Sequence, residues 1–241
     1  MKRLSLALLL IGALLTLASC ADEMPLDPVD EAGGEVHQHD DPALEGWVED
    51  ELGVSSQGEA QKVNSCSTRW VLPAAVASAG SRQQVSYNSA GSRCSGGATT
   101  GATSLGNYIR TRFGAQMDLR VDGRGVQIYN CRSVRGGSGL SVHSVGRAVD
   151  IFIPTGSGGA ATNSKGDAIA NWLVQNAQYI GVQMIIWDRT VWRASASPES
   201  SCYGGTHPHN NHIHIELTSA AGSRQTAFFR DLASGDVQDS G

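Results

Sequence analysis

Two short stretches of this chain concentrate the side chains that do chemistry. The first is Ser141-Val142-His143-Ser144-Val145-Gly146-Arg147-Ala148-Val149-Asp150, and the second is His207-Pro208-His209-Asn210-Asn211-His212-Ile213-His214-Ile215-Glu216. In the second, His212 and His214 are two residues apart, so on a β-strand both imidazoles leave the same face. Two imidazoles on one face suit a metal, and an imidazole with a carboxylate from the first stretch completes a His, Asp, His set. Such a set fills three positions of a zinc tetrahedron and leaves the fourth for water, the mark of a catalytic rather than a structural site. His207 and His209 flank Pro208 in what reads as a loop, which points to the rim of the site or to contacts behind the ligands. Ser141 has no nucleophile elbow around it, so its expected part is to orient His143 or the loop that carries it.

The elements that must position these groups are short. Arg147 to Ile153 alternates Ala148, Asp150 and Phe152 with Val149, Ile151 and Ile153, as a buried strand does. Val126 to Cys131, Val182 to Trp187 and Asn211 to Leu217 read as further strands, and Ser104 to Phe113 as a helix. Asp167 to Tyr179 carries Ile169, Trp172, Leu173 and Ala177 at helical spacing, with Gly181 where a C-terminal cap belongs. Helices and strands interleave irregularly, which predicts an α+β fold: a small, mostly antiparallel sheet with flanking helices, in a single zinc-binding domain over 65–232. Thr155 to Lys165 and Arg189 to Gly205 read as loops that would set specificity. Trp187, Asp188 and Trp192 are candidates for a cleft lining, although core packing is the default for Trp187. The glycine-rich stretches lack the lysine of a phosphate-binding loop, and no nucleic-acid partner is expected.

The order Ser-x-His-x-x-Gly-x-Ala-x-Asp followed by His-x-His resembles the signature of the zinc D-Ala-D-Ala carboxypeptidase and Hedgehog-type metallopeptidase superfamily. The resemblance covers about Gln127 to Leu217, and Tyr129-Asn130-Cys131-Arg132 is similar to the extensin-like C-terminal domain branch. It implies that His143, Asp150 and His214 hold Zn2+, that His212 faces the metal's water, and that Arg132 steadies the tetrahedral intermediate. Some members of the superfamily place a general-base glutamate three residues before the last ligand, where this chain has Asn211. His212 is therefore the expected proton carrier, with Glu216 a distant second that would point into the opposite layer or sit behind the ligands. The resemblance implies a zinc-dependent peptidase acting on peptidoglycan stem peptides or cross-links, of the D,D-carboxypeptidase or endopeptidase type. The opposing expectation is a non-catalytic zinc-containing module that binds the cell envelope, since fold and metal do not guarantee turnover. A third needs no zinc: a lipoprotein that binds envelope polysaccharide through its arginines.

The rest of the chain addresses the domain to a place. Lys2 and Arg3 precede an apolar run from Leu4 to Ala18, shorter than the roughly 20 residues of a spanning helix, and so 1–19 reads as a secretory signal. Leu17-Ala18-Ser19-Cys20 resembles the lipobox of bacterial lipoproteins, which implies cleavage before Cys20, its lipidation, and a domain anchored to a membrane and facing the periplasm or exterior. Residues 20–64 form an acidic tether, with thirteen acids from Asp22 to Glu59 against the single base Lys62. Its composition cannot bury enough apolar surface to offset ordering entropy. Between 63 and 230 the balance reverses to fifteen Arg or Lys against seven acids. The tail 233–241 is again polar. With Cys20 acylated, Cys66, Cys94, Cys131 and Cys202 make an even set in a secreted chain, and two disulfides are expected, Cys66 with Cys94 and Cys131 with Cys202 being the preferred pairing.

Overall fold

The two-residue alternation of the strands sorts apolar from chemical side chains onto opposite faces of one sheet. The computed structural model describes residues 69–134, 139–195, 198–205 and 207–238. The signal segment 1–19, the tether 20–64 with Cys20, Cys66, and the chain from 239 onward lie outside the described residues. The strands are β1 Val126–Gln127, β2 Ala148–Phe152, β3 Val182–Trp187, β4 Thr190–Arg193, β5 Glu199–Cys202 and β6 His212–Leu217. They hydrogen-bond in the order β1-β2-β6-β3-β4-β5, every neighbour antiparallel. The helices are α1 Ala74–Gly80, α2 Thr100–Phe113, α3 Asn163–Gln175, α4 Ala177–Ile180, α5 Ser219–Gly222 and α6 Ala227–Ser234. The fold is thus α+β on an antiparallel sheet. No helix among the described residues is long and apolar enough to cross a membrane.

β6 lies between β2 and β3, so the strand that carries the histidine pair is hydrogen-bonded along both edges. Its Ile213, Ile215 and Leu217 join Val149 and Ile151 of β2 and Ile185 of β3 in the main core. Helix α2 adds Leu105, Ile109 and Phe113, α3 adds Ile169, Trp172 and Leu173, and α6 adds Phe228 and Phe229. Each fully buried side chain of this size contributes about 1.5–3 kcal/mol. Trp187 and Trp192 also lie in this core, at 0% and 1% exposure, so neither lines a cleft. Asp188 is buried in the two-residue turn between β3 and β4, where Asn163 donates to its carboxylate at 2.9 Å and burial raises its pKa above the usual carboxylate value.

Several elements differ from their sequence expectation. The segment expected as a strand from Val126 to Cys131 pairs with β2 only at Val126 and Gln127. Beyond that, Ile128 and Asn130 turn their backbone to His143. The long helix is interrupted at Asn176, whose amide donates to the Trp172 carbonyl at 2.8 Å, and α4 then ends on Gly181 at φ +90°. Arg189 to Gly205, expected as loop, contains β4 and β5. The preferred disulfide pairing is overturned: Cys94 is bonded to Cys131, with 5.6 Å between the Cα atoms. The reason is tertiary. Ser95 N–H donates to the Ser144 carbonyl and Asn130 N–H to the His143 carbonyl, so both cysteine segments flank one turn. Closing a loop of 37 residues contributes about 2–4 kcal/mol by constraining the unfolded chain. Cys202 is disulfide-bonded as well.

Candidate metal centre

The face of the sheet opposite the helices carries the site. In the β2–β6 ladder Asp150 pairs with His214, Phe152 with His212 and Ala148 with Glu216, so all six side chains share that face. His143 arrives from outside the sheet, on the 3-10 turn Val142–Val145 that leads into β2. Ser141 caps this turn: its buried Oγ accepts the His143 backbone N–H at 3.1 Å. Gly146 closes the turn at φ +64°, and a Cβ there would stand 2.2 Å from the Gly97 carbonyl oxygen, so conformation and space both demand glycine.

These elements bring His143, Asp150 and His214 together, each with a ligand atom within 4.8 Å of the others and all three buried. Asp150 bridges the two rings, with Oδ2 3.1 Å from His143 Nε2 and Oδ1 3.0 Å from His214 Nδ1. The two ring nitrogens are 3.3 Å apart. On the far side, His143 Nδ1 donates to the Ile128 carbonyl at 2.5 Å, which leaves Nε2 as the lone-pair nitrogen of that ring. His214 is turned the other way round. Its Nδ1 faces Asp150, and its Nε2 lies 3.5 Å from Glu216 Oε1, an ion-pair contact without hydrogen-bond geometry. Two imidazole nitrogens and one carboxylate, aimed at one point in a buried site, fit a zinc ion with an open fourth position.

Glu216 is therefore not in the opposite layer; period-two alternation keeps it on the ligand face, fully buried. Its Oε2 accepts from Gln183 Nε2 at 3.0 Å. Gln183 reaches it through the register shift between Val182 and Met184 in the β3–β6 ladder, which no sequence pattern announces. The buried Arg147 guanidinium donates to the Leu217, Asn88 and Ser89 carbonyls. Burial lowers its pKa, and the charge of Glu216 acts in the opposite direction. Glu216→Gln keeps the shape and removes the charge behind His214, and zinc affinity should fall about 10- to 100-fold, read by competition with a chelator. Unchanged affinity would show that the carboxylate does not orient the ligand.

His212 lies one residue pair along β6 from the Asp150–His214 rung, on the same face. Its Nδ1 donates to Asn211 Oδ1 at 2.6 Å, so Asn211 sets the ring's tautomer. The His212 ring packs on Phe152 at 5.4 Å and on His209 at 4.8 Å between centroids. His209 is wholly buried and holds a left-handed backbone at φ +54°, its ring also 6.0 Å from that of His214. Asp188 and Arg189 donate their backbone N–H groups to the carbonyls of His209 and Pro208, which clamps this loop to the β3–β4 turn. Arg132 is half-buried beside the ligand turn, its carbonyl accepting from Ser141 N–H at 3.1 Å and its Nη1 donating to the Ser133 carbonyl at 3.4 Å. Asn211, Gln183 and the Ile128 carbonyl were not among the sequence candidates for positioning roles. Only Asn211 carried a signal, as the residue standing where some relatives have a glutamate.

No curated protein and no solved structure matches the chain. Residues 94–213, from the disulfide cysteine ahead of α2 into β6, match the family model described as VldE, C-terminal domain.

Proposed function

We propose that this domain is a zinc-dependent peptidase acting on peptidoglycan stem peptides or cross-links. The observation that carries the reading is the convergence of His143 Nε2, Asp150 and His214 Nδ1 on one buried point, with His212 on the same face. When bound there, zinc supplies Lewis acidity toward a scissile carbonyl and toward water. The residues of the chain do the rest. Asp150 contributes the negative charge of the ligand set, the Ile128 carbonyl fixes the tautomer of His143, Glu216 places a buried charge beside His214, and Ser141 fixes the turn that carries His143. His212, with Nδ1–H given to Asn211, keeps Nε2 as the atom that takes a proton and passes it to the leaving amine. Arg132 supplies a fixed positive charge for the developing oxyanion.

The excess of basic over acidic residues between 63 and 230 supports retention on anionic envelope polymers, and the lipobox-like Cys20 supports a lipid anchor in the cell envelope. A Cys20→Ala variant should accordingly be released in soluble form, as fractionation would show; retention in the membrane fraction would defeat the anchor. One observation favours the second reading, a zinc-containing module that binds without cleaving: Asn211 occupies the position of a carboxylate base. Incubating the zinc-loaded protein with peptidoglycan decides between them. Released D-alanine or cleaved cross-links are expected, and intact peptidoglycan with bound protein would establish the module instead.

A further inference from the structure

A second group of imidazoles stands beside the first site. His207, His209 and His212 each offer a ring nitrogen within 4.8 Å of the other two. Their ring centroids are 5.2, 5.4 and 4.8 Å apart for the pairs His207–His209, His207–His212 and His209–His212. His209 Nδ1 donates to the His207 carbonyl at 2.8 Å, and His212 Nδ1 donates to Asn211 Oδ1. Both rings therefore carry their lone pair on Nε2, the state a metal requires. His207 Nδ1 accepts the His209 backbone N–H at 3.2 Å, so it too bears a lone pair, engaged in a long bond to which a metal is the stronger alternative. His207 is partly exposed, whereas His209 and His212 are buried, which gives the group an open side for an ion to enter.

We propose that His207, His209 and His212 form a second divalent-metal site of lower affinity, whose occupation shuts down the neighbouring hydrolytic site by engaging His212. The inhibitory part rests on the peptidase reading; the metal site itself does not. Three nitrogens suit zinc and the other borderline ions. Affinity is lower than at the first site for two reasons. The group has no carboxylate to match Asp150, and a cation held by His214, whose ring is 6.0 Å from that of His209, repels a second cation. The first site fills at low free zinc, the second only in excess. Once His212 Nε2 is a ligand it has no lone pair for a proton, and proton transfer to the leaving amine stops. The same ring thus serves catalysis at limiting metal and coordination at high metal.

The test is equilibrium dialysis of the full chain against zinc alone, in a His37→Ala/His39→Ala background that removes the imidazoles of the acidic tether. Two binding steps are expected, one ion per chain each, separated by at least about tenfold in free zinc. His207→Ala should lose the second step and keep the first, and His143→Ala the reverse; His207→Gln repeats the measurement should His207→Ala fail to fold. Peptidoglycan hydrolysis should rise with the first step and fall with the second. In His207→Ala it should rise equally and not fall. A single step in the parent chain, or a second step that persists in both His207 variants, overturns the site. Two steps without hydrolysis at any zinc level leave the site standing and remove the peptidase reading. Hydrolysis that falls with excess zinc equally in the His207 variants overturns the proposed inhibition.

Discussion

Replacing His143, Asp150 or His214 with alanine should strip most of the zinc from the first site, and hydrolysis should fall with the metal. Among the described residues three side chains converge there, so each variant leaves two ligands for an ion that needs three from the protein. The three losses should nevertheless differ in their effect on folding. Asp150 bridges both rings at 3.0 and 3.1 Å, and removing it takes away the buried charge that either imidazole faces. His214→Ala has a different cost, because it leaves a cavity where a wholly buried ring packs beside the buried Glu216 carboxylate. We expect Asp150→Ala to be read mainly in zinc content and His214→Ala in zinc content and thermal stability together. Metal analysis beside a melting curve checks both. Full zinc in any of the three would place the centre elsewhere.

His212→Ala should separate metal from rate. At limiting zinc it should keep about one ion per chain at the first site, because the Ile128 carbonyl holds the His143 ring and Asp150 faces both ligand rings. Its kcat on a peptidoglycan peptide should drop by the roughly 10²–10⁴-fold typical of a lost general acid or base. Asn211→Ala offers a graded companion: it removes the acceptor at 2.6 Å that sets the His212 tautomer, so it should lower the rate less than His212→Ala and leave the metal in place. Loss of zinc from His212→Ala with retention in His214→Ala would mean that the two residues exchange roles. Full activity in both would end the hydrolase reading.

What the sequence alone determined is whatever depends on spacing within one element. The i, i+2 separation of His212 and His214 commits both to one face of any strand that contains them, and the alternation from Arg147 to Ile153 puts Asp150 on the face opposite Val149, Ile151 and Ile153. The β2–β6 register sets Asp150 opposite His214 on that shared face. Glu216 obeys the same alternation, and a consistent use of it leads to the ligand face. The apolar spacing of Ile169, Trp172 and Leu173 likewise located α3, one of the helices that cover the other face.

Only the tertiary structure decided how distant segments meet, because nothing in a local pattern encodes which loops become neighbours. The Cys94–Cys131 bond follows from two loops packing on the His143 turn, and spacing along the chain is silent on that. Gln183 reaches Glu216 through a register shift, a backbone event that simple alternation does not foresee. Short strands such as Thr190–Arg193 and Glu199–Cys202 carry too few residues for a periodic signal and form because neighbouring strands supply their hydrogen bonds. His209 is the sharpest case. Its place beside Pro208 reads as a loop at the rim of the site or behind the ligands, and the β3–β4 turn clamps its backbone while the fold buries its ring against His212. Residue types told which atoms were able to bind a metal; three-dimensional closure, which trades chain entropy for contacts between remote segments, decided that they stand as two adjacent groups.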